Sequence, residues 1–173
     1  MNGTETLLIL EVPAPILKAK AERVAAVDDG VRDLMERMLA AMYAAPGIGL
    51  AAPQVGVGRR VVVVDLAKED EPPAPIRLVN PEVVWRSDEE SIGEEGCLSL
   101  PGQYADVRRP ESVRVAYLDE HGSPREIAAG GLLARCLQHE IDHLDGILFT
   151  DHLSALKRNM ILRKLAKRRR DRD

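Results

Sequence analysis

The segment His139-Glu140-Ile141-Asp142-His143 constrains this chain more than any other. Two histidines four residues apart share one face of a helix, so both rings can reach a single metal ion if the segment is helical. Glu140 follows His139 but is turned about 100° around the helix. It can therefore stand beside a water on the metal without binding the metal, the place of a general base that takes a proton from water and passes it to a leaving group. The flanking residues support a helix from about Gly131 to Leu144, stopped at Asp145-Gly146, where glycine is a natural C-terminal cap.

A catalytic metal site needs a third protein ligand. The elongated histidine pattern, with a third histidine six residues after the second, fails because that position is Phe149. Cys136 lies on the same helix, but it is separated from His143 by seven residues, ~10 Å along the axis at ~1.5 Å per residue. A metal–sulfur bond is only ~2.3 Å, so Cys136 can hardly share an ion with both histidines. It reads better as a small buried hydrophobe. Cys97, in Glu95-Gly96-Cys97-Leu98-Ser99, is the favoured outside ligand, with His121 and His152 as competitors.

The remainder of the chain predicts the surroundings. Val31, Leu34, Met35, Met38, Leu39 and Met42 recur at helical spacing after Asp28-Asp29, which can cap a helix ending near Pro46-Gly47. A glycine-rich loop follows over Gly47 to Gln54. Val61 to Val64 read as a buried strand, with further strands at Ile76 to Val79, Glu82 to Trp85 and around Val113, Val115 and Tyr117. Strands that do not alternate with helices predict an α+β fold: mainly antiparallel sheets packed around a central HExxH helix, with an N-terminal helix and a basic C-terminal helix at about 153–170. One domain over residues 1–173 is expected. Only 3% of residues are aromatic, so aliphatic side chains must fill the core.

Charge and cysteine content narrow the setting. Apolar runs such as Val61 to Val64 are far below the ~20 residues that span a bilayer, so no membrane association is expected. No secretory signal is visible. With two cysteines, Cys97 and Cys136, a disulfide scaffold is excluded and a reducing cytoplasm fits. The last 17 residues hold nine Lys/Arg against two Asp, a local +7 within a net charge of −4, which leaves −11 on the remainder. A basic tail on an acidic body points to an anionic partner.

Three separated segments, Gly47-Ile48-Gly49-Leu50-Ala51-Ala52-Pro53-Gln54, Glu95-Gly96-Cys97-Leu98-Ser99 and Gln138-His139-Glu140-Ile141-Asp142-His143, resemble the three signature motifs of the peptide deformylase family, in the family's order. The resemblance extends over nearly the whole chain, from Ile9-Leu10-Glu11 to the basic tail. It implies a hydrolase that removes the formyl group from the initiator methionine of nascent chains. It also implies Cys97, His139 and His143 as ligands of Fe(II), with Zn(II), Ni(II) or Co(II) as replacements, and Glu140 as catalytic acid/base. A hydrated formamide passes through an oxyanion, for which the resemblance implies two donors, the Gln54 amide and the Leu98 backbone N–H. Ile48, Gly49 and Leu50 are expected to pair with the substrate backbone. Glu95 is expected near the substrate or orienting a neighbour, and Leu132, Cys136 and Ile48 to line a methionine pocket.

Two positions depart from the family's pattern. Tyr104 stands where arginine is common, and Arg135 where some members have an apolar residue; both are expected near the substrate's path. The basic tail is expected to dock on ribosomal RNA, and its removal from Lys167 onward to leave activity on short peptides nearly unchanged. A monomer is expected. Two other readings are an ordinary zinc peptidase, which a cysteine ligand argues against, and an RNA-associated protein with a structural metal, in which Glu140 would have no use as a base.

Overall fold

The computed structural model describes residues 6–172; residues 1–5 and 173 of the expected domain lie outside the described residues. Helix α1 spans Asp29–Ala44, and its first turn is capped by the Asp28 carboxylate, which accepts from the Val31 N–H at 3.0 Å. Strands β1 (Gly49–Ala51), β2 (Val61–Val64), β3 (Ile76–Arg86), β6 (Ser112–Leu118) and β7 (Pro124–Gly130) form an antiparallel sheet in the order β1-β2-β3-β6-β7. Strands β4 (Glu90–Cys97) and β5 (Leu100–Pro110) pair as a separate two-stranded ribbon. Helix α2 spans Gly131–Leu144 and α3 spans Ala155–Arg172, after a 3-10 turn at Phe149–His152.

The four valines of β2 show how the layers form. All are fully buried, and alternate residues of a strand face opposite sides of the sheet. Val61 and Val63 pack with Val31, Met35, Met38 and Met42 of α1. Val62 and Val64 pack with Ala134, Leu137, Ile141 and Leu144 of α2, together with Leu78 and Val115. The sheet is thus covered by a helix on each face, and burial on both faces is why β2 reads as an unbroken apolar run. A third cluster, of Leu17, Leu100, Val107, Phe149, Ile161 and Leu165, fastens α3 to the ribbon and to the N-terminal segment.

The α+β class, the antiparallel pairing and the two terminal helices match the sequence expectation; the details differ. The two strands expected at Ile76 to Val79 and Glu82 to Trp85 are one strand, β3, with a register shift between Val79 and Glu82. Asn80 there takes φ 50°, and its side-chain amide both accepts from and donates to the Val24 backbone, at 2.8 and 2.9 Å, which holds the irregularity in place. Part of the expected glycine loop is strand β1. The 3-10 turn moves the start of the basic helix from Leu153 to Ala155. Among the described residues no helix is long and apolar enough to cross a membrane.

Candidate metal centre

Two elements bring the cysteine and the histidines together. Cys97 ends β4, where the ribbon's register breaks: Gly96 pairs with Tyr104, but Cys97 pairs with Leu100. The Tyr104 ring lies so close over Gly96 that a β-carbon there would collide with it. The tight turn of Leu98 and Ser99 presents Cys97 toward α2, where His139 and His143 lie buried. The Cys97 Sγ is 3.3 Å from His143 Nε2, and one donor atom from each of Cys97, His139 and His143 lies within 4.8 Å of the others. This is the one group of at least three such donors found among the described residues. His121 and His152 stand apart from it.

The chemistry of the donors fits a metal ion. The His139 Nδ1 meets the Glu95 carboxylate at 2.9 Å, which leaves its other ring nitrogen for the side facing Cys97. A carboxylate behind a ligating imidazole fixes its tautomer and raises its basicity. Burial, helped by the charges of His139 and Arg109, holds His143 well below the usual imidazole range, so its ring is neutral, the form that binds a metal. One cysteine and two imidazoles, with no fourth protein donor in the group, would suit a catalytic metal site better than a closed structural one. Cys136, by contrast, is buried, and burial pushes its thiol up, away from the thiolate form.

A cleft of about 520 Å³ opens onto Cys97 and His139, with His143 buried behind them, and is lined also by Ile48, Gly49, Gln54, Leu98, Glu140, Pro101, Gly102 and Tyr104. Gln54 is 1% exposed and rigidly held: its Oε1 accepts from the Ala51 N–H at 3.0 Å, and its Nε2 donates to Ser99 Oγ at 3.1 Å, with Cys97 Sγ 3.5 Å away. Gln54 lines the cleft, with its amide nitrogen beside Cys97 Sγ. Glu140 is buried, its Oε1 has no hydrogen-bond partner, and burial, with a contribution from Glu95 that His139 opposes, pushes its carboxyl up to about 7. Such a group can both take and give a proton near neutrality. Gly49 permits this placement, since a β-carbon there would lie 2.7 Å from Glu140 Oε2 and 2.9 Å from Cys136 Sγ.

Other expected residues lie elsewhere. Of the three assigned to a methionine pocket, only Ile48 lines the cleft; Leu132 is exposed outside it, and Cys136 is packed beneath β1. Gly49 and Leu50 of the edge strand β1 are buried, Leu50 wholly, whereas Ile48 before them is exposed. Glu95 does not reach the cleft. Burial alone would raise its pKa, but hydrogen bonds from His139 and Arg109 and the Arg109 charge outweigh this and hold it well below the usual carboxylate range. Arg135 is likewise turned from the substrate's path: it binds Glu95 Oε2 at 2.7 Å, the Val107 carbonyl at 2.8 Å, and the carbonyl and hydroxyl of Ser91. The reason is charge, since a guanidinium beside a buried carboxylate gains more than one facing an open cleft. Tyr104 does line the cleft.

Sequence reasoning missed Arg109, which is almost wholly buried and clasps Glu95 with two hydrogen bonds of 2.6 and 2.9 Å while reaching Asp142 at 2.9 Å. The signal was the acidic pair Glu94-Glu95 beside the cysteine, because a buried carboxylate demands a cation. It also missed that the tail binds its own protein: Arg168 donates to the Pro101 carbonyl at 2.8 Å, Arg169 to the Val12 carbonyl at 3.2 Å, and Arg172 to Glu11 at 3.1 Å.

Comparison with known proteins agrees with this geometry. Residues 6–159 match the family described as Polypeptide deformylase. The chain is 53% identical over 163 residues to a peptide deformylase of Mesorhizobium japonicum, covering 94% of this chain and 93% of that one. It is 57% identical over 162 residues to one of Methylocella silvestris, covering 92% and 83%. Among solved structures, it is similar to a peptide deformylase of Ehrlichia chaffeensis, with a TM-score of 0.91 at 40% identity, covering 96% of this chain and 98% of that one. A second structure from that organism, in complex with actinonin, has a TM-score of 0.90 at 41% identity and covers 95% and 98%.

Proposed function

The chain belongs to the polypeptide deformylase family, and from that premise we propose how its residues divide the work. It is a metal-dependent hydrolase that removes the formyl group from the amino-terminal methionine of nascent polypeptides and releases formate. Residues 1–173 are read as one catalytic domain, with α2 as the helix around which both sheets are arranged. Cys97, His139 and His143 hold the ion, Fe(II) in the cell, with Zn(II), Ni(II) or Co(II) able to replace it. Bound there, the ion supplies the Lewis acidity that activates water and polarises the formyl carbonyl.

The chain's own groups carry the rest. Glu140 accepts the proton of the attacking water and returns it to the departing amine. The Gln54 amide and the Leu98 N–H donate to the oxyanion that forms at the formyl carbon. Gln54 is anchored at both ends of its amide, so this donor costs no reorganisation at the moment of reaction. Ile48 and the edge strand β1 that follows it, at Gly49 and Leu50, take the substrate as an added strand. Ile48 and Tyr104 flank the methionine side chain or the residues after it.

The observation that carries this reading is the convergence of a three-donor group, two of whose members line one cleft, with a buried carboxylate that has an unpartnered oxygen and an anchored amide in the same lining. It is tested by formate release from a formyl-methionyl peptide, with metal content measured, for the wild type and two cysteine variants. Cys97→Ala should lose both metal and activity, and Cys136→Ala should keep both. The reverse pattern would overturn the ligand set.

The basic tail is read as docking on ribosomal RNA in the cytoplasm, where a monomer would meet its substrate. Because Arg163, Arg168, Arg169 and Arg172 are engaged within the protein, the residues offered to phosphates are Lys157, Arg158, Lys164, Lys167 and Arg170.

A further inference from the structure

The metal ligand His139 does not end its contacts at Glu95. From its Nδ1 a chain of charged hydrogen bonds runs through Glu95 and Arg109 back to Asp142, one turn further along α2, and on to His152. Glu95 takes His139 at 2.9 Å and Arg109 at 2.6 and 2.9 Å. Arg109 Nη1 donates to Asp142 Oδ2 at 2.9 Å, and the same oxygen accepts from His152 Nε2 at 2.8 Å. The interior members have no slack, because the side chains of Glu95 and Arg109 are each only 4% exposed and both Glu95 oxygens are occupied. His152 alone is substantially open, in the 3-10 turn before α3, beside a second cavity of about 330 Å³ that Arg86 and Arg108 also line.

We infer that Asp142 and His152 are positioning residues for the metal site. They fix Arg109, Arg109 fixes Glu95, and Glu95 fixes the ring of His139. Asp142 would otherwise accept only from Arg109, and without the His152 donor the shared oxygen is free to turn to water at the cavity. The guanidinium that clasps Glu95 from two sides then loses its fixed far end. Outer partners of metal ligands typically contribute about 10–100-fold to metal affinity or activity. His152 is three hydrogen-bonded residues removed from His139, so the low end of that range applies to it and a higher value to Asp142.

The inference rests on the reading of Cys97, His139 and His143 as ligands, which the stoichiometric metal content of the wild type and its loss in Cys97→Ala test separately. The deciding measurement is the rate at which cobalt-loaded protein releases its ion to a chelator at one fixed pH, together with the visible absorption of the bound Co(II). His152→Ala should release the ion about 5–10-fold faster with a shifted spectrum, and Asp142→Asn faster still. His152→Gln, whose amide can donate to Asp142, should recover most of the wild-type rate. Arg86→Ala lines the same cavity without joining the chain and should release at the wild-type rate. None of the chain's outer members lines the substrate cleft, so kcat should fall in His152→Ala while KM is unchanged. Should Asp142→Asn fail to fold, the exposed His152 still decides the matter. A His152→Ala protein with wild-type release and spectrum, even if its Tm were lower, would overturn the inference, as would equal acceleration in Arg86→Ala.

Discussion

Replacing Glu95 by glutamine tests what holds the metal ligands in place. The two side chains have nearly the same shape, so the change isolates charge and acceptor count. In the wild type one Glu95 oxygen accepts from Arg109 Nη2 and His139 Nδ1, and the other from Arg109 Nε and Arg135 Nη1. Whichever way the glutamine amide turns, its NH₂ faces two donors. Two charge-assisted bonds are lost, and Arg109 is left with Asp142 as its paired carboxylate while Arg135 keeps only neutral acceptors. Removing one partner of a buried ion pair costs about 3–5 kcal/mol. We therefore expect urea unfolding of the metal-free Glu95→Gln protein to show a loss of that size at pH 7. The pH dependence gives an independent check. The folded pKa of Glu95 is depressed, so its stabilising effect is complete above the unfolded carboxyl value, near 4.3, and is lost as pH falls toward the folded value. The gap between wild type and variant should be constant from about pH 7 to 5 and narrow below about pH 4. A gap under about 1 kcal/mol at neutral pH, or one that widened in acid, would refute the account of this network.

Other perturbations follow from the same geometry. Gly49→Ala places a methyl group within 2.7 Å of Glu140 Oε2, so Glu140 must move; turnover should fall about 10–100-fold with metal content unchanged, and unaltered kcat would contradict the close approach. Removal of residues from Lys167 onward breaks the Arg168–Pro101 bond at the cleft rim and the Arg169–Val12 bond away from it. At about 0.5–1.5 kcal/mol each, this should raise KM for short peptides about 3–10-fold instead of leaving it untouched. The same truncation should weaken ribosome binding and flatten its salt dependence; equal binding at the same ionic strength would reduce the tail to a structural strap.

The sequence disclosed the site more fully than it disclosed the fold. The histidine pair, its glutamate and the exclusion of Cys136 were legible from helical spacing, whereas spacing could not choose between Cys97, His121 and His152; the fold brings Cys97 to His143. The core strands were legible where β-branched residues run together, as at Val61 to Val64. The β4–β5 ribbon was not, because Glu90-Ser91-Ile92-Gly93-Glu94-Glu95-Gly96 carries one apolar side chain and its alternation encodes contacts with Arg135, Arg109 and Tyr104 instead of a hydrophobic face. Strand β7 was hidden for the same reason, since Pro124 to Gly130 is largely exposed. Glu95 was expected near the substrate or orienting a neighbour, and it is the neighbour His139 that it holds; Arg135 was placed near the substrate because a lone charge in a sequence gives no sign of its partner. Their burial against each other and against Arg109 is a product of the tertiary fold.

The most direct test of the central claim, that a buried carboxylate moves protons beside the metal donors, is the turnover of Glu140→Gln. The protein should be loaded anaerobically with Fe(II), verified to hold as much metal as the wild type, and assayed for formate release from a formyl-methionyl peptide. The substitution keeps the side chain's size and leaves Cys97, His139 and His143 in place, so metal content should match, while kcat should fall about 10²–10⁴-fold. Near-normal turnover in the fully loaded variant would contradict the account.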